Sequence, residues 1–370
     1  MDSLWLVFPG LVIWSSILLL PWRLWSTRET LDAGEELHAD LSDVTILIPA
    51  RNEEEFIGAT LEGAYKQGVG HKIILIDDQS TDCTVAVAEN KNIQSLNILS
   101  GIALEPGWSG KLWALEQGLS HVTTKNILLL GADIHLAPGT VNALLLKMKR
   151  ENLQLVSLMA FLRMESIWEK LLIPAFIYFF KLLYPFHVSN SKSKLVAAAA
   201  GCCILMGKMA LEEVGGFASI KNELIDDCAL ARQFKSKGNL TWIGLTHSAI
   251  SQQKYGTLRT IWEMATRTAF TQLKYSFSLL VICTLLMFSA FIAPIVTLFS
   301  QNAMTVTFSS ICLLLMMVSY LPTLKYYGFS VFWSFTLPII GLFYLIMTWG
   351  SAIGHWQGAG AIWKERAYTK

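Results

Sequence analysis

Acids gather in this chain where apolar runs end. The stretch 73–82, IILIDDQSTD, opens on an apolar run that is largely β-branched isoleucine and gives way abruptly to Asp77, Asp78, Ser80 and Asp82. Four apolar residues flanked by turn formers suit a strand covered on both faces, as parallel strands in α/β proteins are. Ligands sit in the crevice beyond the carboxyl ends of such strands. These side chains are too polar to be buried unpaired, so they must meet solvent, backbone amides or a ligand. They would also serve as an Asx/Ser turn capping a helix that starts near Cys83. Further polar clusters are Arg51, Asn52 and the acids 53–55 after VTILIPA, Asp133 and His135 in GADIH, and Asp226 with Asp227 in LIDDCALAR.

The elements between these clusters alternate. VTILIPA reads as a second buried strand ending at Pro49, followed by an amphipathic helix over 56–67, then IILID, then a helix over 84–90. Such a βαβα run makes the sheet parallel and brings both polar loops out on one edge. A third strand over 126–130 adds Asp133 and His135 to that edge. A helix over 141–150, a strand over 153–160 and a short helix over 209–217 continue the α/β pattern, and 242–246 with the run 255–275 complete the domain.

Composition bounds the rest. The 370 residues carry a net charge of +1, 15% charged and 53% hydrophobic residues, with a mean hydropathy of +0.45. That is too apolar for an ordinary soluble enzyme, so the chain must include membrane spans. Assigning about 100 to 150 residues to membrane leaves a soluble domain of roughly 200. The near-neutral charge points to no nucleic-acid partner. Six cysteines show no CxxC pair and no histidine at ligand spacing, so they read as reduced, packed thiols.

The motifs PARNEEE, IDDQSTD, GWSGKLWALEQG, GADIH and LIDDCALAR, in that order, resemble the family 2 inverting glycosyltransferases, whose α/β nucleotide-sugar-binding domain is called GT-A. With AAAAGCCILM, IGLT and RTAFTQLKYS, the pattern looks like the hopene-associated glycosyltransferases of bacterial hopanoid gene clusters, and it covers nearly the whole chain. The resemblance implies a GT-A domain with a mostly parallel sheet flanked by helices, together with transmembrane helices. It implies inverting transfer of a sugar from a nucleotide sugar, a UDP-sugar, to a membrane lipid acceptor such as a hopanoid. Such transfer needs a grip on the base, neutralisation of the leaving diphosphate, and a group that deprotonates the acceptor hydroxyl. By the same resemblance Pro49, Arg51 and Glu53 surround the nucleoside, Asp78 meets the uracil ring and Lys111 lies near the phosphates. A solvated helix-start lysine is the alternative for Lys111. The family's acidic pair is here Asp226 and Asp227, with Asp227 as the catalytic base. Its place near a helix N-terminus is expected to lower its pKa.

The third strand tip departs from the pattern. The family writes Asp-x-Asp there, so that carboxylate meets the diphosphate through Mg²⁺ or Mn²⁺. Gly131 stands at the first position, leaving Asp133 as the metal ligand, with His135 two residues on and on the same side of an extended chain. Weakened metal binding is the expectation. A catalytically impaired, lipid-binding or scaffold relative is the alternative that Gly131 raises. The membrane-bound members' Gln-x-x-Arg-Trp segment is represented by Met264, Arg267 and Thr268, with Arg267 on the diphosphate. A basic juxtamembrane helix of Arg259, Arg267 and Lys274 meeting anionic lipid is the other reading.

The expected order is an N-terminal anchor (1–25), a GT-A domain (42–275), a C-terminal transmembrane region (276–350) and a basic tail (351–370). Residues 4–22 are uncharged and apolar, with Arg23 and Arg28 after them, which puts the next segment on the cytoplasmic side. Residues 166–187 are aromatic and apolar but contain Glu169, Lys170 and Lys181. A span there would place Asp226 and Asp227 on the opposite side from Asp78, so an interfacial helix with snorkelling lysines is expected. The stretches 277–299, 305–321 and 329–349 are each long enough to span or nearly so. Three spans would send Lys364, Arg366 and Lys370 outside, against the positive-inside tendency, unless one stretch is re-entrant. The expected setting is the bacterial cytoplasmic membrane with a cytoplasmic catalytic domain.

Overall fold

The computed structural model describes residues 4–34, 39–358, 362–363 and 366–367. In chain order the elements begin with α1 (Leu4–Leu19), β1 (Val44–Ala50), α2 (Ile57–Tyr65), β2 (Lys72–Asp77), α3 (Thr84–Glu89), β3 (Leu96–Ser100), α4 (Gly110–Leu119) and β4 (Asn126–Leu130). They continue with β5 (Ile134–Leu136), α5 (Thr140–Arg150), β6 (Leu155–Phe161), α6 (Ile167–Leu183), α7 (Phe186–Ser189), β7 (Cys203–Gly207), α8 (Lys208–Glu213), α9 (Asp226–Ser236) and β8 (Thr241–Ser251). The last helices are α10 (Leu258–Gln272), α11 (Phe277–Met287), α12 (Ala293–Thr297), α13 (Ala303–Tyr326) and α14 (Leu337–Trp356). Two compact units arise: 29–163 with 188–254 and 362–370, and 1–28 with 164–187 and 255–361.

The first unit is a mixed α/β layer. Its eight strands run in the order β3-β2-β1-β4-β7-β6-β8-β5. The strands β3, β2, β1 and β4 run parallel to one another, as expected for β1, β2 and β4, whereas β7 runs antiparallel to both β4 and β6. β3 was not foreseen. The reason the first strands read as continuous apolar runs is that both sheet faces are covered. Ile46, Ile48, Ile73 and Leu75 pack into one core with Ile57 and Leu61 of α2 and Leu144 of α5. Leu47, Ile74 and Ile76 enter the other with Leu112 of α4, Leu211 of α8 and Phe234 of α9. Period-2 alternation thus feeds two layers. Each fully buried Leu or Ile contributes about 1.5–3 kcal/mol.

The other unit is helical. The runs Phe277–Thr297, Ala303–Tyr326 and Val331–Trp356 are long and apolar enough to cross a membrane. The first is continuous because a π-helical turn, Phe288–Ile292, joins α11 to α12. The helix α1 has 16 residues, short of the ~20 a straight span needs, because the chain turns after Leu19 instead of continuing to Trp22. It packs through Trp14, whose indole N–H donates to the Ala290 carbonyl at 2.9 Å. Gly10 lets it approach the Ser289 carbonyl in the π turn.

The segment 166–187 differs from expectation. Its helix α6 opens with a capping box in which Ser166 and Glu169 satisfy each other's amides. It belongs to the helical unit, where Tyr178 Oη lies 2.7 Å from Ser319 Oγ and Tyr344 Oη donates to the Leu172 carbonyl. Lys181 is 2% exposed, its ammonium 5.5 Å from the Phe186 ring centroid, so it does not snorkel. Part of its surface packs against α13 and α14, while Ile167 and Leu183 at its two ends stay exposed. Lys364 and Lys370 of the basic tail lie outside the described residues.

Candidate active site

The first unit gathers its polar side chains at one sheet edge. Parallel pairing sets Ala50 opposite Asp77, so the loops after β1 and β2 leave side by side. They are then laced together. Arg51 Nη1 donates to the carbonyl oxygens of Asp78 at 2.6 Å and Gln79 at 2.9 Å. The Asn52 amide donates to Ser80 Oγ, the Glu53 amide to Thr84 Oγ1, and the Thr81 amide to Asn52 Oδ1. Asn52 and Gln79 adopt left-handed backbone, with φ of 51° and 58°, which the tight paired loops impose. Pro49 is buried within β1, and Asp78 is buried at the tip of β2. An Asx turn leads into α3, with Asp82 Oδ1 accepting from the Thr84 amide at 3.0 Å, while the helix's own N-cap, Cys83, makes no side-chain cap.

The tip of β4 turns more sharply than the sequence suggested. A hydrogen bond from the Ile134 amide to the Gly131 carbonyl closes a turn at Ala132–Asp133. The two residues proposed as metal ligands therefore acquire different neighbours. Asp133 Oδ2 accepts from Ser251 Oγ at 2.6 Å, at the end of β8. The His135 ring lies on α2, with Nδ1 3.1 Å from the Ala59 carbonyl oxygen. The premise that both sit on one side of an extended chain does not hold. Among the described residues no group of three or more His, Cys, Asp or Glu could hold a metal ion.

Because β7 runs antiparallel to β4, its entry lies beside that tip, and the Gly131 amide donates to the Cys202 carbonyl at 2.9 Å. Here the helix α9 delivers its acids. Asp227 Oδ2 accepts from the Gly201 amide at 2.8 Å and Oδ1 from the Cys228 amide at 2.7 Å. Lys111, in the first turn of α4 after the Ser109 cap, places Nζ 2.7 Å from Asp226 Oδ2. Lys111 is thus no solvated helix-start lysine. At the far end of α9, Lys235 Nζ donates to the carbonyls of Ser189 and Val196 at 2.7 and 2.8 Å, tying down the segment that leads to Gly201.

Electrostatics correct one expectation. Burial, then the Asp226 charge, pushes the Asp227 carboxyl up to about 6, against the opposing pull of Lys111 and of the Cys228 and Gly201 amides. Desolvation outweighs the helix dipole. The group is still ionised at neutral pH and is well matched to accepting a proton. Burial likewise raises the Cys202 thiol to about 11, with the Asp133 and Asp227 charges adding to it. Both acids therefore flank Cys202. Arg267 lies on α10, in the helical unit, and is exposed.

Sequence reasoning missed Ser251 and Gly201. Ser251 is 118 positions from the acid it holds, and no local pattern announces such a bond. Gly201 has a signal, a lone glycine after four alanines in AAAAGCCILM.

An ionised acid beside a lysine, with other acids at neighbouring parallel strand tips, can bind a phosphorylated ligand and take a proton from a hydroxyl. Residues 45–215 match the family Glycosyl transferase family 2. The match covers less than half of the chain and ends before Asp226 and Asp227. Proteins from Staphylococcus aureus named 4,4'-diaponeurosporenoate glycosyltransferase are similar to it. One is 33% identical over 111 residues, 30% of this chain and 29% of the relative. Another, from a second strain, is 36% identical over 91 residues, 25% and 24% of the two chains. The similarity spans less than a third of these relatives. A mannosyltransferase from Pyrobaculum calidifontis, solved in complex with GDP-Man and Mn²⁺, superposes with a TM-score of 0.54 at 16% identity, covering 94% of this chain and 99% of that one. That likeness is one of fold: the domain is of the GT-A type, accompanied by three helices long and apolar enough to span a membrane.

Proposed function

We propose that this protein is a membrane-bound inverting glycosyltransferase that moves a sugar from a nucleotide sugar, a UDP-sugar, to a lipid acceptor. The observation that carries the reading is the cluster of Asp227, Asp226 and Lys111 beside the β4 tip bearing Asp133, on the sheet edge that also carries Asp78. Asp227 acts as the base, taking the acceptor's hydroxyl proton as the oxygen attacks the anomeric carbon from the face opposite the leaving nucleoside diphosphate. Asp226 fixes Lys111, whose ammonium supplies a compact positive charge for phosphate. The paired loops at Arg51, Glu53 and Asp78, with Pro49 beneath them, receive the nucleoside. A role for Arg267 on the diphosphate rests on the motif resemblance alone.

A divalent cation fits this site only in a lean form. Asp133 uses one oxygen on Ser251 and offers the other toward Gly131, so it would hold Mg²⁺ or Mn²⁺ alone, the remaining ligands coming from diphosphate and water. When bound, such an ion would offset the leaving group's charge. His135, committed to α2, adds nothing in this geometry.

The long apolar helices and the relatives named for 4,4'-diaponeurosporenoate, a carotenoid acid, support a lipid acceptor in a cytoplasmic membrane. A hopanoid acceptor rests on the motif resemblance alone. The test is to supply membranes carrying the full chain with UDP-sugars and GDP-mannose, and to measure nucleoside diphosphate release and glycosylated lipid by mass spectrometry. Neither product above the level of an Asp227→Asn control would sink the proposal and favour a scaffold role. Turnover of GDP-mannose alone would correct the donor.

A further inference from the structure

We infer that Gly201 and Lys111 form a positioning pair for Asp227: the bare α-carbon of Gly201 leaves room for the Lys111 ammonium while its amide grips the carboxylate. The inference rests on the reading of Asp227 as the base. A Cβ built on Gly201 would lie 2.9 Å from Lys111 Nζ and 3.3 Å from Asp227 Oδ2. Gly201 is not among the residues with positive φ, so backbone conformation does not demand glycine here. Space does. A larger residue must push the lysine, the nearer neighbour, aside, and presses less closely on the Asp227 carboxylate as well.

The displaced cation matters because of what else faces Asp227. Asp226 adjoins it on α9, Lys111 reaches it from α4, and the Cys202 thiol lies on the segment entering β7. Cys228 directs its own thiol to the Ala199 carbonyl. Lys111 is thus the cation among these groups, and its partner Asp226 becomes an uncompensated neighbour once it leaves. The anion of Asp227 should then be harder to form.

The test needs no substrate. Infrared difference spectroscopy on the full-length protein, with Asp227→Asn to identify the band, reads the pH at which the Asp227 carboxyl loses its proton. Lys111→Ala is expected to raise that midpoint by about one unit, and Gly201→Ala to raise it in the same direction. The double variant should go no further than Lys111→Ala, since Gly201 acts through the lysine. An unmoved midpoint in Gly201→Ala, or full additivity in the double variant, overturns the inference. If Gly201→Ala does not accumulate as folded protein, adding Lys111→Ala must restore it, because the colliding ammonium is gone; failure to recover also overturns it. The acid limb of sugar transfer should follow the same shifts. Wild-type protein that transfers nothing defeats the functional reading, and the titration still decides this inference.

Discussion

Ser251 Oγ lies 2.6 Å from Oδ2 of Asp133, a charge-assisted bond that fixes one carboxylate oxygen and leaves the other facing Gly131. The neighbouring Gln252 amide donates to the Asp133 carbonyl at 2.9 Å. The end of β8 therefore sets the orientation of an acid on a different strand. Ser251→Ala is expected to raise the Mg²⁺ or Mn²⁺ concentration that half-saturates transfer by about tenfold, the low end for loss of a bond to a metal ligand. Ser251→Thr should retain wild-type behaviour. An unchanged metal titration in the alanine variant would remove Ser251 from this role.

Restoring the missing acid tests the same tip from the other side. A Cβ at Gly131 would sit 3.1 Å from Asp133 Oδ1, so Gly131→Asp brings two carboxylates together. With metal present it should lower the half-saturating concentration. Without metal, like-charge repulsion should lower the thermal midpoint. If the titration moves the other way, or wild type works equally well in excess chelator, Asp133 holds no metal and Lys111 and Arg267 carry the leaving charge.

Asp227→Asn keeps the shape of the base but removes its ability to take a proton. Turnover should fall by roughly 10² to 10⁴, with nucleotide binding, read by calorimetry, within a factor of a few. Wild-type turnover in this variant would move attention to Asp226.

The pH profile should reflect a raised acid. With the Asp227 carboxyl near 6, the ionised base is present above that pH, so transfer is retained at neutral pH and lost as pH falls through about 6. A rate that holds level down to pH 4.5 would contradict the assignment.

Asp78 is 1% exposed at the tip of β2, away from the Lys111–Asp226 pair in sequence and element. Asp78→Ala should weaken nucleotide binding more than it slows saturated turnover, because ground and transition states lose the same contact. A fall in turnover at unchanged apparent affinity would count against it.

What could be read from the sequence follows the reach of local patterns. Strands such as β1 and β2 were legible because a strand covered on both faces must be apolar throughout. The edge strand β3, with Asn97 among partly exposed neighbours, carries no such mark. Asp227 was found through its motif, but its pKa was given the wrong sign, since a helix dipole is visible in sequence and burial is not. Lys181 failed for a similar reason: a lysine in an apolar helix reads as snorkelling until the neighbours that bury it are known. The turn at Ala132–Asp133, which separates Asp133 from His135, depends on a bond between Ile134 and Gly131 that extended-strand geometry does not anticipate.

The two compact units interleave along the chain, for the helical one takes 1–28, 164–187 and 255–361. Trp14 closes its bond to Ala290 across 276 positions. During synthesis, then, α1 emerges long before its partner carbonyl exists. The eight-stranded sheet is complete once β8 ends at Ser251. Cutting the gene at a single boundary would release neither unit whole, and a truncation after β8 would strand both α1 and α6 with their packing faces bare.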